Sequence, residues 1–305
     1  MAAQSQPADS DPSPLSDEET AQQALQDLLL ARAAATAQSP LQIQVLAFYS
    51  ARDFEPAWSG NDAAQIMASS ILAQLQNAYE QGLSPNDYAS QLVLGPAPEG
   101  GPDAAKYDLA LTEALFRYAS DLAMGRVWPS DAYKDVRLPS RDFEFAAMLI
   151  KALARADLNA FFDQLPPSQG EYHALVASLA RYRAILALGG WPSVPAKGDN
   201  SGLLLRRLAF EDQTLASNPD PSPTDLEMAL VRYQIRNGLK ADGKANAETL
   251  QALNVAASVR MREIIANMER WRWLPRHFEK RYVRINVPDQ SLDLIEDGEV
   301  TLHSQ

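Results

Sequence analysis

The sequence has 305 residues, 46% of them hydrophobic, so it is long enough for about two domains and apolar enough to bury real cores. Twenty-seven basic against thirty-nine acidic side chains leave a formal charge of −12, which excludes a surface-wide field attracting nucleic acid or anionic lipid. The absence of cysteine excludes disulfides, thiolate metal sites and cysteine catalysis by these residues, and no run of about 18 apolar residues is present to span a membrane.

Residues 1–20 carry Asp9, Asp11, Asp17, Glu18 and Glu19 with no Lys or Arg, the reverse of a signal peptide, and read as a disordered acidic leader. From 21 to 215 the pattern is helical. Ala64, Ala68, Ile71, Leu72, Leu75, Ala78 and Tyr79 fall three or four apart before Gly82, and Ser84-Pro85 opens a short helix. Tyr107, Leu111, Leu115, Tyr118 and Leu122 form the next stripe before Gly125, followed by Phe145, Met148, Leu149, Leu153 and Phe161-Phe162 in 141–162. Ser168-Gln169-Gly170-Glu171 fits a capping box for a helix through Tyr172, Leu175, Leu179, Tyr182 and Leu186, which Gly189-Gly190-Trp191-Pro192 ends.

Asn218 to Pro223 reads as a linker, which places a domain boundary near 216–223. A second capping box is expected at Thr224-Asp225-Leu226-Glu227, with a compact unit running to 257 through Gly238, Asp242-Gly243, Leu250 and Leu253. A helix over 258–274 carries Met261, Ile264, Ile265, Met268 and Trp271, and its length suggests that it packs back on the first helical domain. The period then becomes two: Val283, Ile285 and Val287 alternate with Arg284 and Asn286, Leu292 and Leu294 continue, and Asp297-Gly298 turns into Val300 and Leu302.

Four stretches, in order, resemble one family. They are Phe48-Tyr49-Ser50-Ala51-Arg52 with Pro56-Ala57-Trp58 and Gly82-Leu83-Ser84-Pro85; Asp121-Leu122-Ala123-Met124-Gly125-Arg126; Tyr182-Arg183 with Gly189-Gly190-Trp191-Pro192; and Asn267-Met268-Glu269-Arg270-Trp271-Arg272-Trp273-Leu274-Pro275, the most specific. Together they resemble the large periplasmic L,D-transpeptidases, which join peptidoglycan stem peptides through a cysteine nucleophile. The unit at 224–255 is similar to a peptidoglycan-binding-like three-helix module, in Gln234, Gly238-Leu239, Asp242-Gly243, Asn246 and Thr249; the family usually has glycine where Asn246 stands, and asparagine also tolerates a left-handed backbone.

The resemblance implies a mainly α fold: a helical scaffold domain over 21–215 with helix 258–274 packed on it, a peptidoglycan-binding-like module over 216–257, and a β-hairpin over 276–305 that begins a β-rich catalytic domain truncated before its cysteine. It also implies a periplasmic location, peptidoglycan glycan strands and stem peptides as partners, and positioning rather than catalysis by this chain. The rival expectation is a complete, non-enzymatic peptidoglycan-binding or interaction protein of the cell envelope.

No catalytic residue, cofactor, metal, nucleic-acid partner or transmembrane segment is expected. His173, His277 and His303 have no metal-ligand spacing. Gln234, Arg236, Asn237, Asp242 and Asn246 are candidate substrate-binding residues, against a plainer reading as turn and cap chemistry. Trp271 and Trp273 read as packing at the helix-to-strand junction rather than as a sugar platform. Arg206-Arg207 and Arg270 with Arg272 read as solvated or paired faces.

Overall fold

The computed structural model describes residues 16–35, 37–89, 97–135, 138, 143–286 and 290–304. The fold is mainly helical, with fourteen α-helices and one three-stranded antiparallel sheet among the described residues. It divides into two compact units, Met1–Pro166 and Pro167–Gln305.

The first unit contains α1 (Asp17–Ala35), α2 (Pro40–Ser50), α3 (Asp62–Gln76), a 3₁₀ turn (Ala78–Gln81), α4 (Asn86–Ala89), α5 (Gly101–Met124), α6 (Pro129–Ala132), α7 (Phe145–Ala154) and α8 (Asn159–Phe162). Helix α5 is the axis: α1, α2, α3 and α4 all pack on it, and α7 packs on α2. The core runs from Leu25 and Phe48 through Ile71, Leu115 and Phe116 to Leu149 and Phe161. The predicted α5 stripe is buried at Leu111, Leu115, Tyr118 and Leu122, with Tyr107 half-buried.

Of the expected leader, residues 1–15 lie outside the described residues, but Asp17, Glu18 and Glu19 form the first turn of α1. Ser16 Oγ accepts the Glu19 N–H at 3.2 Å and Glu19 Oε2 accepts the Ser16 N–H at 2.8 Å, so the acidic run is a capping box with carboxylates at the positive end of the helix dipole. The start of α1 is also fixed by contact with Gly100, where an added Cβ would lie 2.7 Å from Asp17 Cβ.

The second unit contains α9 (Gly170–Ala187), α10 (Ser201–Ala209), α11 (Gln213–Ala216), α12 (Pro223–Arg236), α13 (Ala247–Leu253), α14 (Ala257–Trp273) and strands β1 (Arg281–Asn286), β2 (Ser291–Glu296) and β3 (Glu299–Ser304). α14 lies along α9 around Tyr172, Leu179 and Met268, with Trp271 half-buried against them. A second core joins Leu204, Leu208, Leu215, Leu230, Tyr233 and Leu253 from α10 to α13.

The run 218–223 is therefore a short connection within one core. Asn218 donates to Asp225 at 3.3 Å, and Arg232 pairs with Asp212 at 2.8 Å across it.

Both predicted capping boxes shift. α9 is capped at Gln169 without a side-chain bond, because Glu171 pairs with Arg284 at 3.0 Å instead. At α12 the box belongs to Ser222 and Asp225, since Pro223, with its fixed φ and no N–H, occupies the first helical position.

The expected hairpin is the β2–β3 half of a sheet of order β1-β2-β3. Asp297 and Gly298 both have positive φ, at 50° and 87°, as the predicted two-residue turn requires. The alternation is present, with Val283, Leu294 and Leu302 side by side across the strands. That side is open, Val283 being 54%, Ile285 66% and Leu302 51% exposed, while Ile295 is buried. Val287 lies outside the described residues.

Candidate functional site

The residues that carry the resemblance form polar nodes inside each unit. In the first, Asp108 on α5 is fully buried and accepts the Ala57 N–H at 2.7 Å, the Trp58 N–H at 2.8 Å, the Tyr49 hydroxyl at 2.8 Å and Ser59 Oγ at 3.1 Å. Thr112, one turn on, receives the Trp58 indole N–H at 2.7 Å and lies 2.7 Å from Tyr49 OH. The donors form one consistent chain: indole to Thr112, Thr112 to Tyr49, Tyr49 to Asp108. Phe48 stacks on Trp58 with centroids 6.1 Å apart. The loop 51–59 has no regular structure, and Asp108 satisfies its Ala57 and Trp58 N–H groups.

Burial raises the Asp108 carboxyl above the usual aspartate range, and the donated hydrogen bonds from Ala57, Trp58, Tyr49 and Ser59 offset this only in part.

A second node joins two of the resembling stretches. Arg126 pairs with Asp87 at 2.7 Å and lies 3.6 Å from Asp121, which accepts the Tyr88 hydroxyl at 2.7 Å. The Asp121–Arg126 run thereby fixes the segment after Gly82-Leu83-Ser84-Pro85 to the end of α5.

In the second unit Arg207 is fully buried, although its neighbour Arg206 is exposed. Its guanidinium lies 3.7 Å from the centroid of Trp191, donates Nε–H to Leu253 O at 2.7 Å and pairs with Glu211 at 2.8 Å. The Tyr182 hydroxyl donates to the other Glu211 oxygen at 2.5 Å, and the Trp191 indole N–H donates to Val255 O at 3.0 Å. Tyr182 and Trp191, from the third resembling stretch, thus hold α9 against the α10–α13 core through one cation. Burial acts upward on Glu211, but the Arg207 charge and the hydrogen bonds from Tyr182 and Arg207 outweigh it and leave the carboxyl below its usual range.

The fourth stretch likewise alternates. Arg270 is exposed and donates to Asn267 at 2.9 Å, whereas Arg272 is buried, pairs with Glu269 at 3.0 Å and donates to Tyr172 OH at 3.1 Å. Trp271 and Trp273 are half-buried, Trp271 among the α9–α14 apolar contacts.

The candidate substrate-binding residues fall around the 237–246 loop with unlike environments. Gln234 is fully buried; its amide nitrogen, with two hydrogens to donate, lies 3.2 Å from Asp242 Oδ1, 3.0 Å from Lys244 O and 3.0 Å from Thr249 Oγ1, and its carbonyl oxygen accepts the Gly243 N–H at 2.9 Å. It holds the loop from inside. Arg236, Asn237 and Asn246 are exposed and Asp242 is half-buried. Asn237 folds back to Tyr233 O at 2.9 Å. Asn246 has φ −69° and caps α13 through the Thr249 N–H at 2.9 Å, so its role is N-capping in an extended backbone, not the left-handed turn expected from the sequence.

Glycine is needed at 243, where φ is +68° and a Cβ would lie 2.6 Å from Glu227 Cγ and 3.3 Å from a Val231 methyl. Gly243→Ala should therefore cost about 1–3 kcal/mol in urea denaturation. A loss below about 0.5 kcal/mol would mean that the loop relaxes without strain.

Among the described residues no group of three or more His, Asp or Glu is placed to hold a metal ion, and no helix is long and apolar enough to cross a membrane. The sequence supplies no thiol, and Asp108 has no access to a substrate. The polar clusters are internal fastenings of a helical scaffold.

Residues 43–179 match the family model described as Scaffold domain, the scaffold domain found in L,D-transpeptidases. The match takes in the Asp108 and Arg126 nodes and ends within α9. No curated protein matches the chain.

Three key positions were not singled out by the sequence. Asp108 and Thr112 lie one turn apart within an apolar helical stripe, a visible sign of a buried polar network. Arg207 carried no such sign, because the neighbouring Arg206 is identical in type.

Proposed function

We propose that this chain is the non-catalytic portion of a periplasmic L,D-transpeptidase, holding peptidoglycan for a catalytic domain that supplies the cysteine. The observation that carries the reading is the Scaffold domain match over 43–179, on the residues whose side chains fasten the first unit. The order of elements supports it: α14, bearing the most specific stretch, leads into a sheet with an open apolar side. In this reading 224–255 contacts glycan or stem peptide through Arg236, Asn237, Asp242 and Asn246, with Gln234 positioning their loop. Trp271 and Trp273 serve the helix-to-strand junction.

Two measurements test the proposal. Intact-mass spectrometry after incubation with a carbapenem should show no covalent adduct, since loss of a covalent nucleophile costs on the order of 10⁶-fold in turnover in a well-studied hydrolase. A stoichiometric adduct would overturn the non-catalytic assignment. Co-sedimentation with purified sacculi should be weak and nearly insensitive to salt, and reduced by Arg236→Ala with Asn237→Ala. Retention that is unchanged by this pair, or that collapses at high salt, removes the module from substrate binding.

A further inference from the structure

The first unit contains a cavity of about 480 Å³ that serves none of the fastenings above. Helix α3 is amphipathic on two sides. Ala64, Ala68, Ile71 and Leu75 are buried, while Ala63, Ile66, Met67, Ser70 and Gln74 form one wall of the cavity. The other wall is the corner between α7 and α8, with Leu153, Ala156, Leu158 and Phe162.

From Ala63 to Gln74 this wall runs about 16 Å, or roughly three helical turns. Ile66 stands at it 67% exposed, a large β-branched side chain open to solvent beside a cleft of mixed apolar and polar lining.

Two details give the groove a chemical preference. Asp157 is the only charged side chain among its described lining residues; one oxygen accepts the Ala160 N–H at 3.1 Å, and the other has no partner among the described residues. No Lys or Arg is among the described residues that line the groove. Ala156, which lines the wall, holds a left-handed backbone, φ +50°, where glycine would be unstrained.

We infer that this groove docks an amphipathic helix of a partner protein, apolar along one stripe and carrying a lysine or arginine that reaches Asp157. The apolar stripe covers Ile66, Met67 and Phe162, in the helix-in-groove mode, and the basic residue fixes its direction. The inference does not rest on the transpeptidase reading, and its test does not involve peptidoglycan.

The test uses the whole chain and a labelled helical peptide with leucine at i, i+3, i+4 and i+7, one lysine beside that stripe, and alanine and glutamine elsewhere. Fluorescence anisotropy should give saturable binding with a Kd of about 10–100 µM, as befits a small interface. Replacing the lysine by glutamate should weaken binding about tenfold.

Ile66→Ser, at an exposed position, should weaken binding about tenfold with an unchanged melting temperature. Ala156→Gly should weaken it about threefold while the melting temperature holds or rises, separating groove shape from folding. Absence of saturable binding by the lysine peptide overturns the inference, as does equal binding by Ile66→Ser. Dimerisation of the chain that Ile66→Ser abolishes would assign the groove to a second copy and overturn it as well.

Discussion

Asp108→Ala should destabilise the first unit by about 4 kcal/mol, a large share of the roughly 5–15 kcal/mol that holds a typical domain together. The Ala57 and Trp58 N–H groups each donate to this carboxylate and belong to a loop with no regular structure. Each would be left buried without a partner at about 1–3 kcal/mol. Tyr49→Phe removes only one of the four donors to Asp108 and should cost about 1 kcal/mol. Hydrogen exchange resolved by mass spectrometry should show the loss over 43–123 and not in the second unit. A loss below about 1 kcal/mol for Asp108→Ala would mean that water replaces the carboxylate and that the node is not a fastening.

The same group has a pH signature. With its folded pKa raised by burial, Asp108 contributes stability that is complete below the unfolded aspartate value of about 3.9 and fades as pH rises through the folded value. Glu211 and Asp212 have lowered values, so their contribution is present above their unfolded values of about 4 and is lost as pH falls through the folded ones. Burial acts upward on both, but Arg207 and Tyr182 at Glu211, and Arg232 and the Leu215 N–H at Asp212, outweigh it. Acidification should therefore loosen the second unit before the first. Exchange protection measured from pH 6 to about pH 3 checks the order, and earlier loss in the first unit would reverse the assignment.

Arg207→Ala should be the matching substitution in the second unit, costing about 3–5 kcal/mol, because it leaves Glu211 partly buried without its cation and uncovers the face of Trp191. Arg207→Lys keeps the charge but loses the planar stack and the fork that reaches both Glu211 and Leu253 O, at about 2 kcal/mol. The combined Arg207→Met and Glu211→Gln change should recover much of the loss, since replacing a buried pair costs less than breaking one. If the double variant is no more stable than Arg207→Ala in urea, the energy resides in the stack on Trp191 and not in the ion pair.

The glycines and prolines made most helix ends legible. Gly82 and Gly189 hold the positive φ that stops a helix, and Pro223 the fixed φ that starts one. Cap chemistry was less secure, because a carboxylate near a helix start has competing partners: Glu171 is taken by Arg284 from a distant strand, and Asp225 by the nearby Ser222. The run 218–223 has the composition of a linker, yet it closes a turn inside one core, since proline restricts the chain equally in either setting.

The sequence by itself determined the mainly helical architecture, the change to period two after Pro275 and the stretches within 43–179 that match a scaffold, because periodicity and turn residues are local properties of the chain. Only the tertiary structure decided what the polar residues do. Arg207 and Arg272 are buried while Arg206 and Arg270 are exposed, and Asp108 and Gln234 are internal fastenings while Arg236 and Asn246 face solvent. Residue type fixes charge and hydrogen-bonding capacity; burial and the partners brought from distant elements decide where that capacity is used.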